Sequence, residues 1–160
     1  MLNITVLCVG KLKEAYWRDA CAEYEKRLGA FCRFSLCEVA EERLPDNPSP
    51  AQIAATIEAE GKRLLERLPK DCAVIPMCIE GKEMDSPALS ARMQKMAVEG
   101  TSHIVFVIGG SWGLSDAVKS RAVFRLSMSP MTFPHQLARV MLLEQIYRAF
   151  QISSGGKYHK

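Results

Sequence analysis

Short apolar runs alternate with amphipathic segments along this chain, and that alternation restricts the fold more than any other feature. The predicted strands are Ile4–Val9, Phe34–Val39, Ala73–Ile79, His103–Ile108 and Phe124–Met128. The predicted helices are Glu14–Leu28, Ala51–Leu68, a segment from Ser86 to Gly100, a short helix capped by Ser115, and a last helix from Pro134 to about Ile152. Because such alternation across short connections is typical of parallel sheets, we predict one α/β domain over residues 1–160, with a mainly parallel sheet and helices on both faces.

Two local signals refine this prediction. Pro76 interrupts the third strand and cannot donate a backbone hydrogen bond, which indicates a bulge or an edge position. Ser86-Pro87 is typical of a helix start, with Ser86 as the capping side chain.

Composition excludes several classes of protein. No apolar stretch is long enough to cross a bilayer, and Lys11 and Lys13 follow the opening apolar run, whereas a secretory signal places its charges first. The six cysteines include no C-x-x-C pair and do not cluster with the three histidines, so we expect reduced structural thiols and no metal site. These features favour a cytoplasmic protein without a membrane anchor.

Basic residues are concentrated in the C-terminal third. Residues 101–160 contain seven lysines and arginines against two acidic residues. An anionic partner such as RNA would approach this part of the chain, although a solvated basic surface without a partner explains the same charges.

Three loops follow predicted strands and are candidates for a ligand site. They are Cys78–Lys82, Ile108–Gly113 with its paired glycines, and Ser129–Pro134 with its two prolines. Ligands of parallel α/β sheets bind where such loops converge beyond the carboxyl ends of the strands. The paired glycines carry no Cβ, so their backbone can approach a ligand closely. A tight turn and a merely structural proline loop remain alternatives.

The last helix carries two further candidates. His135 and Arg139 are four residues apart, so both project from one face and could engage an anionic or titrating substrate. Alternatively, His135 is a helix-terminal histidine with a structural hydrogen bond, kept neutral by the helix dipole. The rest of the helix is apolar around most of its circumference and needs a cover, for which we favour a second subunit.

The final residues, Ser153 to Lys160, combine four small residues with Lys157-Tyr158-His159-Lys160. The small residues predict flexibility, which a frayed terminus also explains. The aromatic ring, the imidazole and the two lysines would suit stacking and phosphate contacts with an unpaired RNA base.

Three stretches, quoted in order, carry a family resemblance. V-I-G-G-S-W-G-L-S, S-M-S-P-M-T-F-P-H-Q-L-A-R and the terminal K-Y-H-K resemble the ribosomal RNA large subunit methyltransferase H family of the SPOUT class. The resemblance covers the whole chain and includes the I-E-G-K turn at 79–82.

The resemblance implies a SPOUT-type trefoil knot near the C-terminus and a homodimer. It implies methyl transfer from S-adenosylmethionine to N3 of a pseudouridine in 23S rRNA, within the large subunit or the assembled ribosome. The cofactor-binding residues that it implies are Cys78, Gly110, Ser129, Pro130, Met131, Thr132, Phe133 and Pro134. The catalytic candidates are His135, Arg139, Tyr158 and His159, with the tail placed beside the cofactor pocket of its own or the neighbouring subunit. Family members often have an aliphatic residue at position 78 and commonly have Pro-Glu at 111–112, where Cys78 and Ser111-Trp112 stand here.

Two other functions compete with this one. A nucleotide-dependent enzyme would need a lysine and a hydroxyl directly after the glycines, and Leu114-Ser115 provides no lysine. A non-enzymatic RNA-binding accessory protein would explain the basic third but leaves the three loops without a role.

Overall fold

Five parallel strands form the sheet of the computed structural model, which describes residues 1–160. The strands are β1 (Asn3–Val9), β2 (Arg33–Val39), β3 (Ala73–Glu83), β4 (His103–Ile108) and β5 (Leu126–Ser127), in the order β2-β1-β4-β3-β5. All four strand pairings are parallel, and β1 lies against β4 with Cys8 opposite Ile108. The predicted α/β fold with a parallel sheet is confirmed.

Helices cover both faces of the sheet. They are α1 (Ala15–Leu28), α2 (Pro50–Arg67), α3 (Ser86–Val98), α4 (Asp116–Lys119) and α5 (His135–Ser153). Residues Ile4, Val6 and Cys8 of β1 join one core cluster with α1, α3 and α5, whereas Leu7 and Val9 join a second cluster with α2 and α4. This alternation follows from the two-residue period of a strand. None of the helices combines the length and apolar character needed to cross a membrane.

Local capping explains where the helices begin. Ser49 and Gln52 form a capping box at the start of α2, and Ser115 accepts the Val118 N–H at the start of α4, as predicted. The prediction for α3 was wrong by one residue. Asp85 accepts the Ala88 N–H at 2.8 Å, whereas the hydroxyl of Ser86 donates to Gln145 Oε1 at 2.6 Å.

The third strand contains the bulge that Pro76 indicates. Its register against β5 shifts between Met77 and Lys82, and β3 is an interior strand between β4 and β5, so the edge position is excluded. After the bulge, β3 continues to Glu83, beyond the predicted end at Ile79. A Cβ at Gly81 would lie 2.9 Å from the carbonyl of Arg125, so this close approach of β3 to the chain before β5 requires glycine.

The cysteines are all free thiols, and four of them are buried. Burial raises the pKa of Cys8 to about 12, which keeps its thiol protonated. No group of three or more histidine, cysteine, aspartate or glutamate side chains is placed to hold a metal ion.

Candidate active site

The three segments that the sequence nominates as loops converge on one cleft with a volume of about 180 Å³. Two of them are loops, but the prediction was wrong for Cys78–Lys82, which lies within β3. It lies at the carboxyl ends of β4 and β5 and beside the bulge of β3, and these three strands are neighbours in the sheet. The predicted residues that line it are Cys78, Gly110, Ser129, Met131, Thr132, Phe133 and His135. Pro130 and Pro134 belong to the same loop but do not line the cleft.

The glycine turn presents its backbone to this cleft. The Gly113 N–H donates to the Gly110 carbonyl at 3.1 Å, and Gly113 has a φ of 88°, which favours glycine. A Cβ at Gly110 would face away from the cleft, lying 3.0 Å from Glu60 Oε1 and 3.3 Å from Val9 Cγ1. A branched side chain at position 110 would therefore press on Glu60 and Val9, while its effect on a bound ligand stays a prediction.

A buried serine that the sequence did not single out ties two of the loops together. The Ser127 hydroxyl lies 3.0 Å from the Ile79 carbonyl and 3.2 Å from the Ser129 carbonyl, both of which can accept its proton. Ser129 Oγ in turn accepts the Met131 N–H at 3.0 Å. Ser127 therefore sets the separation between the first loop and the proline loop. Its only signal in the sequence is its position at the end of the last strand.

Glu60 is a second residue that sequence reasoning passed over. It lies on α2, is 4% exposed, and accepts the Glu42 N–H at 3.0 Å, which ties the loop after β2 to the back of the glycine turn. Burial raises the pKa of Glu60. On a helix predicted only as amphipathic, nothing local distinguishes this glutamate from solvent-exposed ones.

His135 lies in the wall of the cleft at the first turn of α5. Its pKa is lowered from the usual value near 6.5, chiefly by burial and further by the nearby Arg139 guanidinium, while Glu41 acts in the opposite direction. The imidazole is therefore neutral near pH 7 and is able to accept a proton or a hydrogen bond.

Arg139 occupies a different environment from His135, the candidate four residues before it. It is 1% exposed, does not line the cleft, and binds Glu38 Oε2 through Nη1 at 2.6 Å. Nη2 donates to the Gly10 carbonyl at 3.2 Å, while Nε has no hydrogen-bond partner. Arg139 thus joins α5 to the carboxyl ends of β1 and β2, so that it supports the site without facing it.

The tail folds back onto α5. Tyr158 Oη donates to Glu144 Oε1 at 3.1 Å, and its ring meets Tyr147 edge-on at a centroid distance of 4.9 Å. The Arg148 guanidinium lies 4.6 Å from the centre of the Tyr158 ring and 3.2 Å from His159 Nδ1. Neither Tyr158 nor His159 lines the cleft within the same chain. His159 instead borders a larger cavity of about 760 Å³ between α3, α5 and β5.

Part of the basic excess in the C-terminal third is neutralised within the protein. Arg139 pairs with Glu38, and Lys119 pairs with Glu80 at 2.7 Å, so two of the basic side chains have carboxylate partners from outside this third of the chain. The charge available to an anionic partner is therefore smaller than the sequence suggests.

Comparisons with known proteins agree with this architecture. A family model described as "Predicted SPOUT methyltransferase" matches residues 2–159. The "Ribosomal RNA large subunit methyltransferase H" of Bifidobacterium adolescentis is 48% identical over 159 residues, covering 99% of this chain and 100% of that protein. The "Putative ribosomal RNA large subunit methyltransferase H" of Methanococcus maripaludis is 46% identical over 159 residues, with the same coverage.

A solved structure supports the fold alone. It is described as "a probable methylase family protein from Haemophilus influenzae Rd KW20", and it is 15% identical with a TM-score of 0.54, covering 99% of this chain and 70% of that one. The two relatives at 46% and 48% identity match over their full length, and they show the family as well as the fold. The chain therefore belongs to the SPOUT methyltransferase family and, within it, to the ribosomal RNA large subunit methyltransferase H family.

Proposed function

We propose that this enzyme transfers the methyl group of S-adenosylmethionine to N3 of a pseudouridine in 23S rRNA, and that it works as a cytoplasmic homodimer on the large subunit or the assembled ribosome. The observation that carries the proposal is the convergence of two loops and the bulged part of β3 on one cleft, in a chain that matches ribosomal RNA large subunit methyltransferase H relatives over their full length.

The chemistry of the cleft fits this cofactor better than a nucleotide phosphate. Its lining contains glycine backbone, apolar side chains and the hydroxyls of Ser127, Ser129 and Thr132, but no lysine or arginine. Apolar walls suit an adenine ring and a methionine chain, and hydroxyls suit a ribose, whereas a triphosphate needs cations. When bound, S-adenosylmethionine supplies an electrophilic methyl group on sulfur.

Residues of the proline loop and of the other two loops would hold the cofactor. Cys78, Gly110 and Ser129–Pro134 are the proposed contacts, with the backbone of Gly110 and the loop fixed by Ser127 as their framework. At about 180 Å³ the cleft is smaller than the roughly 300–1,000 Å³ of typical ligand pockets. Part of the ligand would therefore remain uncovered by a single chain.

His135 is the proposed contact to the target base. Methylation at N3 requires loss of the N3 proton, and a neutral imidazole in the cleft wall can orient the base or receive that proton. Arg139 contributes by position, since it holds the first turns of α5 against β1 and β2. General-base action by His135 is less favoured than orientation, because N3 ionises with modest help.

A second subunit would complete the site. Ile79 and Met131 at the cleft are 54% and 72% exposed, an unusual state for large apolar side chains beside a binding site. The tail does not reach the cleft of its own chain, so we propose that Tyr158 and His159 serve the cleft of the partner subunit. Sedimentation should then give twice the mass of one chain.

Titration calorimetry with S-adenosylmethionine and with ATP tests the proposal. We expect S-adenosylmethionine to bind and ATP not to bind. Binding of ATP alone would support a nucleotide-dependent enzyme, and binding of neither, together with retained RNA binding, would support an accessory RNA-binding protein.

A further inference from the structure

Lys11, Lys13 and Tyr16 are exposed in the segment between β1 and the first turn of α1. Tyr16 is 64% exposed, and its ring lies 5.1 Å from that of Trp17. Neither lysine has a carboxylate within 4.0 Å, and both are exposed. Two unpaired ammonium groups and an open aromatic ring therefore lie within six residues of one another.

The backbone that presents these side chains is fixed from within. Leu12, between the two lysines, is 8% exposed and packs into the larger core cluster, where Trp17 also packs. Arg18 Nη1 donates to the carbonyls of Leu12 at 3.1 Å and Lys13 at 2.5 Å. Because these hydrogen bonds hold the loop, the backbone that carries the exposed groups is preorganised, and only the side chains would need ordering on binding.

This segment begins at the carboxyl end of β1, the strand next to β4, which carries the glycine turn. Cys8 lies opposite Ile108 across β1 and β4, and a Cβ at Gly110 would touch Val9. The next residue, Gly10, accepts a hydrogen bond from Arg139 on the helix that carries His135. Lys11 thus lies at the carboxyl ends of the strands, as the glycine turn does.

We infer that Lys11, Lys13 and Tyr16 form a docking surface for an unpaired stretch of the RNA substrate, in which the lysines contact phosphates and a base stacks on Tyr16. The inference rests on the proposed function and adds to it the place where RNA beside the target base is held. Aromatic rings with nearby cations are the usual means of binding single-stranded RNA. The two acidic side chains of the segment, Glu14 and Asp19, make no ion pair with these lysines, so both ammonium groups remain free for phosphate.

Three full-length variants test the inference: Tyr16→Ala, Tyr16→Phe and the double variant Lys11→Ala/Lys13→Ala. The matched control is Lys26→Ala/Lys70→Ala, which removes two exposed lysines near the amino ends of the strands, where α1 and α2 end. Binding to a short fluorescein-labelled single-stranded RNA and to its duplex is followed by anisotropy over a series of salt concentrations.

We expect Tyr16→Ala to weaken single-strand binding about 5- to 150-fold, corresponding to one base–aromatic stack of about 1–3 kcal/mol, and to leave duplex binding unchanged. Tyr16→Phe should bind as the wild type does. The double lysine variant should make the dependence of log K on log salt shallower by about 1.4, since each phosphate contact contributes about 0.7 on a single strand. With unmethylated large subunits or assembled ribosomes, whichever the wild-type protein methylates, KM should rise in Tyr16→Ala and in the double lysine variant while kcat at saturation is retained.

Wild-type affinity of Tyr16→Ala and of the lysine variant for single-stranded RNA would overturn the inference, as would equal losses in the Lys26/Lys70 control. A shift from dimer to monomer in Tyr16→Ala would also overturn it, because the ring would then be a contact between two copies of the chain. These failures differ from failure of the proposed function, in which the wild-type protein would transfer no methyl group to RNA at all.

Discussion

Replacing Arg139 by methionine tests whether the buried ion pair holds the helix of the active site in place. Arg139 is 1% exposed and connects α5 to Glu38 of β2 and to the Gly10 carbonyl. Arg139→Met keeps much of the side-chain volume and removes both connections. Cofactor affinity should change little, because Arg139 does not line the cleft.

The size of the effect follows from the burial of the two partners. Removing one member of a buried pair costs about 3–5 kcal/mol, since the other charge is left unpaired. The Glu38 side chain is 32% exposed, so water replaces part of the lost partner, and Arg139 Nε already lacks a hydrogen bond. We therefore expect a loss of about 2–3 kcal/mol, which lowers Tm by roughly 4–12 °C in a chain of this size.

Thermal and urea unfolding at one fixed protein concentration measure this loss, because association makes Tm depend on concentration. Glu38→Gln should cost at least as much, since it strands a charge that water cannot reach. The double variant should cost less than the sum of the two single changes by about 0.5–3 kcal/mol. Arg33→Met, at an exposed arginine without an ion pair, is the control. Additive effects of the two changes, or a wild-type Tm for Arg139→Met, would refute the anchoring role.

Three further predictions follow from the site. Gly110→Val should lower both the unfolding free energy and the affinity for S-adenosylmethionine, because its side chain would press on Glu60. The control Gly29→Ala, at the end of α1, should alter neither quantity in unfolding and calorimetric assays. Normal stability and binding of Gly110→Val would contradict the packing described. Deleting Tyr158–Lys160 should cost about 1–2 kcal/mol of stability through lost aromatic and hydrogen-bond contacts. The deletion should leave cofactor binding unchanged and abolish most methyl transfer, and full activity would exclude a role for the tail. Since the pKa of His135 is lowered in the folded state, its contribution to stability is present above the unfolded pKa near 6.5 and is lost as pH falls through the folded value. His135→Gln should therefore reduce the drop in unfolding free energy between about pH 7.5 and about pH 5.5. An unchanged drop would contradict this.

The sequence predicts most of the fold because the strongest elements are determined locally. His103–Ile108 is a continuous apolar run, and in the structure β4 has these bounds because it is buried on both faces at the centre of the sheet. The two-residue β5 is shorter than the predicted strand, and its pairing with β3 depends on a bulge and on the close approach at Gly81. Such register details depend on contacts across the sheet. The trefoil knot stays a prediction, because strand order and pairing do not determine how the chain threads.

The site was predictable in its location and less so in the roles of its side chains. The convergence of the glycine turn and the proline loop follows from parallel topology alone, whereas the continuation of β3 through Cys78–Lys82 does not. The burial of Arg139 does not, because its partner Glu38 is 101 residues away and nothing local links the two. The docking of Tyr158 on Glu144 overrides the flexibility that the small residues before it predict, and the direction of a side chain at Gly110 depends on backbone conformation.

The proposed activity is tested most directly by following the methyl group itself. Large ribosomal subunits and assembled ribosomes that lack the modification are each incubated with the protein and S-adenosylmethionine carrying a labelled methyl group. The 23S rRNA of each sample is then digested to nucleosides and analysed by mass spectrometry. The account predicts label in a single nucleoside, N3-methylpseudouridine, with most of it lost in the variant that lacks Tyr158–Lys160. Label on another base, or RNA that binds the protein and remains unlabelled while the cofactor is bound, would contradict it.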